Sequence, residues 1–189
     1  MSVNYRKPVV LENGQLEQIQ SGDGLDAGAF QVPATLGAQG QVLAAPGSGT
    51  VLEWVDPDVS TIPMQNANLG AMVIGNAVYV KPDGTADLAQ ANSQATTDVL
   101  GLVKDVTVAS AATGNVILDG VLTATTDQWD AVAGTTGGLT PGAVYFLDPA
   151  TPGKLTSTPP SAAGQFVVRV GKALSSTKLN LTLTAPIKL

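Results

Sequence analysis

The chain has 189 residues, no cysteine and no histidine, and it carries 9 Lys and Arg against 15 Asp and Glu, a net charge of −6. The two absences remove disulfides, thiolate metal sites, the commonest general base and the commonest zinc ligand. The acidic balance argues against nucleic acid, which needs clustered cations, and no apolar run approaches the ~20 residues of a membrane-spanning helix.

In chain order, residues 1–60 read as an extended N-terminal arm and linker with short β segments. The start, Met1 to Pro8, lacks the apolar core of a signal peptide, so synthesis and assembly in a cytoplasm are expected. Pro8 to Ile19 reads as two short strands around Asn13-Gly14, the strongest short hairpin signal. Leu16 and Ile19 also fit a helical turn, which Gly14 keeps short. Glycines at 22, 24, 28, 37, 40, 47 and 49 and Pro46 make a poor recipe for a core and suit an arm ordered against something else. Thr50 to Val55 reads as a strand, stopped by Asp56-Pro57-Asp58.

Residues 61–189 read as a β domain. Strands are expected at Ala71–Ile74, Ala77–Val80 and Ala86–Ala89, with a turn at Pro82-Asp83-Gly84. A polar loop follows at 91–97. Further strands are expected at Val99–Val108, Val116–Leu118 and Val121–Thr123. Thr126 to Val132 has a plausible cap and reads as one or two helical turns. After a long turn from Gly134 to Gly142 come strands at Val144–Leu147, Lys154–Thr156, Phe166–Leu174 and Leu179–Thr184. Short strands between Gly/Pro turns spell an all-β barrel or sandwich.

One unit occurs twice within this domain. Gly75-Asn76-Ala77-Val78-Tyr79-Val80 is echoed by Gly142-Ala143-Val144-Tyr145-Phe146-Leu147, the Ala-Val-Tyr cores lying 66 positions apart (143 minus 77). Val99 to Lys104 is answered by Val167 to Lys172, and Asn115 to Leu118 by Leu179 to Leu183. The repeat covers about residues 70–122 and 138–185, within two related halves of about 65 residues each that make up 61–189. A small β-barrel or sandwich built from both halves would limit exposed edges.

Candidate chemistry is sparse. Ser175-Ser176-Thr177-Lys178 matches the S-x-x-K nucleophile motif, but it sits between strands and its partner motifs are missing, so a hairpin turn is expected. The carboxylate pairs Asp23/Asp26, Asp56/Asp58 and Asp127/Asp130 suit turns and caps better than calcium, which needs six or more oxygens. A glycosidase would need aromatic platforms as well as two carboxylates; aromatics make up only 4% of the chain, and its two tryptophans, Trp54 and Trp129, are both read as core or interface anchors. Gly22-Asp23-Gly24 and Thr135-Thr136-Gly137-Gly138 lack the lysine of a phosphate loop. Neither a catalytic residue, a cofactor nor a metal site is expected. Charged residues make up 13%, against about 25% in ordinary domains. A surface so weakly charged suits a protein covered in part by copies of itself or by a partner.

The second copy, Gly138-Leu139-Thr140-Pro141-Gly142-Ala143-Val144-Tyr145-Phe146-Leu147-Asp148-Pro149 through Lys154-Leu155-Thr156 and on to Val168-Arg169-Val170-Gly171-Lys172, resembles a module recurrent in virion proteins of tailed bacteriophages: head decoration proteins, head fibres and tail fibres. The first copy, from Gly75, resembles the matching half seen in capsid cement proteins. The resemblance covers about residues 68–189. It implies an all-β, homotrimeric structural protein without catalytic residues. The expected function is a head decoration (cement) protein on the outside of the viral capsid, whose partners are the major capsid protein and itself, with no nucleic acid and no membrane. The alternative is a tail-fibre or head-fibre component that binds the host surface. On the first reading Val9, Val10, Leu11, Leu16, Ile19 and Phe30 are the candidate capsid-contacting residues of the arm.

Overall fold

The computed structural model describes residues 9–12, 15–18, 42–44, 52–55 and 60–189. The chain divides into two units, Met1–Val59 and Ser60–Leu189. In the first unit, β1 (Val9–Glu12) and β2 (Gln15–Gln18) pair antiparallel with Leu11 opposite Leu16. Gln15–Gln18 is strand, not the helical turn its spacing also allowed. β3 (Val42–Ala44) pairs with β4 (Glu53–Val55), so a stretch that reads as linker supplies a strand.

The second unit is almost wholly β. Its strands are β5 (Thr61–Gln65), β6 (Met72–Val73), β7 (Ala77–Val80), β8 (Ala86–Leu88), β9 (Gly101–Val103), β10 (Thr107–Val108), β11 (Thr113–Ile117) and β12 (Gly120–Thr123). After helix α1 (Thr126–Ala133) come β13 (Val144–Leu147), β14 (Leu155–Thr156), β15 (Phe166–Val167), β16 (Arg169–Ser175), β17 (Lys178–Leu181) and β18 (Ile187–Lys188). The strands form two open, antiparallel, five-stranded sheets, ordered β5-β11-β9-β7-β8 and β12-β17-β16-β13-β14. Neither closes into a barrel. β6 pairs with β10 and β15 with β18 in two-stranded ribbons.

Replacing β5, β11, β9, β7 and β8 by β12, β17, β16, β13 and β14 turns one sheet order into the other, so the halves share a topology. Their hydrogen bonds fix the correspondence. Gly75 N–H donates to Val103 O and Val103 N–H to Asn76 O; Gly142 N–H donates to Ala173 O and Ala173 N–H to Ala143 O. Gly75 and Gly142 both hold left-handed backbone, with φ of 86° and 81°. The offset is therefore 67 at this strand (142 minus 75), one more than the Ala-Val-Tyr match. Side chains alternate between faces along a strand, so one residue of slip changes the face. Tyr145 corresponds to buried Val78, and half-buried Tyr79 to Phe146.

Two glycines occupy matching places opposite these residues, Gly101 facing Val78 and Gly171 facing Tyr145. A Cβ on Gly101 would stand 2.2 Å from Ile117 O, and one on Gly171 2.5 Å from Asn180 O. Only a residue without a side chain lets the neighbouring strand approach this closely.

Each half needs a cover for one sheet face, and the covers differ. In the first half the β6–β10 ribbon closes a small core of Met72, Val78, Ala86, Val103, Val108 and Val116. In the second, α1 stands at the corresponding place in the chain, and its Trp129 and Val132 enter the larger core. A capping box starts α1, with Thr125 and Gln128 exchanging backbone and side-chain bonds, and Gly134 ends it. Trp129 is 0% exposed and donates its Nε1–H to Thr177 O at 3.1 Å, which satisfies its one polar atom. The larger core draws on both halves, including Ala77, Leu102 and Ile117 from the first and Tyr145, Leu147, Leu179 and Leu181 from the second.

Four elements differ from the sequence expectation. Val99–Val108 divides into β9 and β10, and Phe166–Leu174 into β15 and β16, the two members of each pair joining different sheets. β5 contains Pro63 and lies at a sheet edge, where a residue without an N–H is tolerated. β18 follows the last expected strand and pairs with β15.

Candidate interaction surfaces

Two exposed features are built with care. The first is the loop after β5. Asn66 is 2% exposed, its Oδ1 accepts from Asn68 N–H at 2.8 Å, and its Nδ2 donates to Val108 O at 2.9 Å and to Gly70 O at 3.1 Å. Asn68 repeats the device outward, accepting from Gly70 N–H at 2.8 Å and donating to Asp87 at 3.0 Å, while Ser110 Oγ donates to Asn68 O at 2.7 Å. The loop is thus tied to β8, to β10 and to the turn after it. Between the two asparagines' targets stands Leu69, 98% exposed. Holding an apolar side chain in water on a fixed backbone reduces the ordering cost of docking it on a partner.

The second feature is the outer face of the second sheet. The register places Val121, Asn180, Lys172 and Val144 in one row. The matching row of the first sheet is Thr61, Ile117, Leu102 and Ala77, and its last three residues are buried. A face that is core in the first half is therefore surface in the second, with Lys172 where Leu102 stands. A bulge between Ala173 and Ser175 turns Leu174 outward, 56% exposed. Arg169 and Lys178 complete a cationic face, and the five strands of this sheet contain no acidic residue. The single ion pair among the described residues is Lys81–Asp83 at 3.6 Å, so none of these three cations has an acidic partner there. Arg169 Nε is buried without a hydrogen bond.

Of the candidate arm residues, Val9, Val10 and Leu11 fall on β1 and Leu16 on β2, which brings Leu11 and Leu16 opposite one another. Ile19 and Phe30 lie outside the described residues, as do Asp23, Asp26, Asp56 and Asp58. The cationic face was not among the sequence candidates, although one signal was present: no Asp or Glu follows Asp148.

The remaining motifs resolve into structure. Ser175 to Lys178 is the β16–β17 hairpin turn, where Thr177 N–H donates to Ser175 Oγ at 3.2 Å. The Gly137-Gly138 amides, which resemble an anion cradle, donate to the Asp130 carboxylate at 2.8 and 2.7 Å, and Thr135 Oγ joins them at 2.8 Å. Partial desolvation opposes ionisation of Asp130, but these three donors outweigh it and hold the carboxyl below its ordinary range. Asp127 lies in the first turn of α1, where a negative charge favours the helix. Among the described residues no group of three or more acidic side chains could hold a metal ion, and no helix is long and apolar enough to cross a membrane.

Comparison with known protein families and with curated proteins finds no match to this chain.

Proposed function

We propose that this chain is a head decoration protein of a tailed bacteriophage, which binds the outside of the major capsid lattice as an oligomer and ties neighbouring capsid subunits together. The observation that carries the reading is the doubled β unit, whose second copy resembles decoration and fibre modules of phage virions. The rigid loop that offers Leu69 supports a binding role, as does the open face with Val121 and Leu174. The chemistry is recognition: modest contacts repeated by symmetry become firm attachment through effective concentration. In this reading the arm residues Val9, Val10, Leu11, Leu16, Ile19 and Phe30 meet the capsid, and three copies act together.

The test is binding to purified, undecorated capsids, with occupancy read by electron microscopy. Saturable density at fixed lattice positions is expected, together with its loss when residues 1–48 are deleted. Bare capsids at saturating protein would overturn the reading. The cationic outer face gives one reason to test the fibre alternative next, against cells with anionic surface polysaccharides.

A further inference from the structure

We propose that the outer face of the second sheet is a self-association surface, and that its occupant is the first half of a second copy of this chain. The charges are segregated along the domain. After Asp148 the only charged side chains are Lys154, Arg169, Lys172, Lys178 and Lys188, whereas residues 60–148 hold eight carboxylates and two lysines. Lys154 is engaged internally, its Nζ donating to Ala131 O near the C-terminus of α1. Arg169, Lys172 and Lys178 share the open face and meet no carboxylate within the described domain.

The first half offers a surface of matching character. An open groove of about 460 Å³ is lined by Tyr79, Val80, Asp98, Val99 and Leu100 among others. It combines apolar walls with one exposed carboxylate. The outer face combines apolar Val121 and Leu174 with cations. Seating the second on the first pairs lysine with Asp98 and covers Val80, which is 45% exposed, and Leu174. The repeat supplies a second argument. The corresponding face of the first sheet is covered within the chain, whereas its counterpart in the second sheet is open, and a second copy would give it the cover that the first already has. Such a contact joins unlike surfaces, so it closes into a ring or runs on as a chain of copies, according to its rotation.

The inference deepens the oligomeric part of the proposed function, and it is tested on the full chain without capsids. Sedimentation velocity is expected to show assembly at about 0.05 M salt that weakens toward about 0.5 M, as screening predicts. The variant Lys172→Glu, Lys178→Glu should associate about tenfold or more weakly, and Asp98→Lys should do the same. All three sites are exposed, so the fold should survive, with circular dichroism as the check. Combining the three exchanges in one chain should restore assembly, because every outer face then meets a groove of opposite charge. A wild-type monomer at every salt concentration, or association indifferent to both variants, would overturn the proposal. A triple variant that stays dissociated would equally reject the pairing with the groove. A monomer that still coats capsids would sink this inference and leave the decoration reading standing.

Discussion

The two halves of the β domain share a strand order and a set of hydrogen bonds, yet they assign their faces differently. In the first sheet both faces are apolar: Val78, Val103 and Val116 look toward the β6–β10 ribbon, while Ala77, Leu102 and Ile117 enter the core shared with the second half. In the second sheet one face is core, and the matching outer row reads Val144, Lys172 and Asn180. The hydrogen-bonded frame persists because it depends on backbone and on a few glycines. The faces are free to diverge because each side chain answers only to what covers it.

The strongest way to break the comparison is to remove one cover. Trp129→Ala deletes a fully buried indole and its bond to Thr177, and should cost about 3–5 kcal/mol in chemical denaturation. Hydrogen exchange sharpens the result. If the halves form one cooperative unit, protection falls in β7 and β9 as well as in β16 and β17. Loss confined to the second half would show that they unfold separately.

A paired substitution tests the correspondence itself. Gly101→Ala and Gly171→Ala each drive a methyl toward a backbone carbonyl, and each should destabilise by about 1–3 kcal/mol. Similar losses are expected at the two sites; a neutral result at one would show that its strand can move away and that the halves are not equally constrained.

Tyr145→Phe should cost about 1 kcal/mol, because it removes the phenol oxygen that accepts from Thr140 N–H at 2.9 Å. The matching residue, Val78, has no such bond to lose, so this term belongs to the second half alone. Thermal melts of wild type and variant measure it.

Asp130→Ala should give the smallest change, a slightly lowered melting temperature at neutral pH. The folded carboxyl lies below its ordinary pKa of about 3.9, so its contribution is present above that value and is lost as pH falls through the folded pKa. The gap between wild type and variant should hold from pH 7 down to about 5 and close in more acid solution. A gap that persists at low pH would mean that the side chain acts through packing instead of charge.

Much of this architecture is legible in the sequence, and the misses have identifiable causes. The all-β class, the internal repeat and the capped helix at Thr126 follow from turn residues, period and capping chemistry. The repeat's register is not legible, because Ala-Val-Tyr matches best at 66 while the backbone matches at 67; only hydrogen bonds decide which face Tyr145 takes. β5 escapes notice because Pro63 argues against a strand, and its edge position removes the objection. Lys172 and Lys178 look scattered in the chain because the β16–β17 hairpin, with its bulge at Leu174, is what brings them to one face. The exposure of Leu69 has no sequence signature, since it depends on Asn66 bonding to β10 and Asn68 to β8, both distant in the chain.

The turn between β13 and β14 reaches into the first half. Gly153 O accepts from Ala77 N–H at 3.0 Å and Gly153 N–H donates to Ala89 O at 2.7 Å. Ala91 adds two more stitches, donating to Asp148 O at 3.1 Å and accepting from Phe166 N–H at 2.9 Å. The covalent link between the halves, beside the exposed Asp119, is therefore one connection among several. A chain nicked there is expected to stay one particle, held by these backbone bonds and the shared core, and its two fragments to reassemble on mixing.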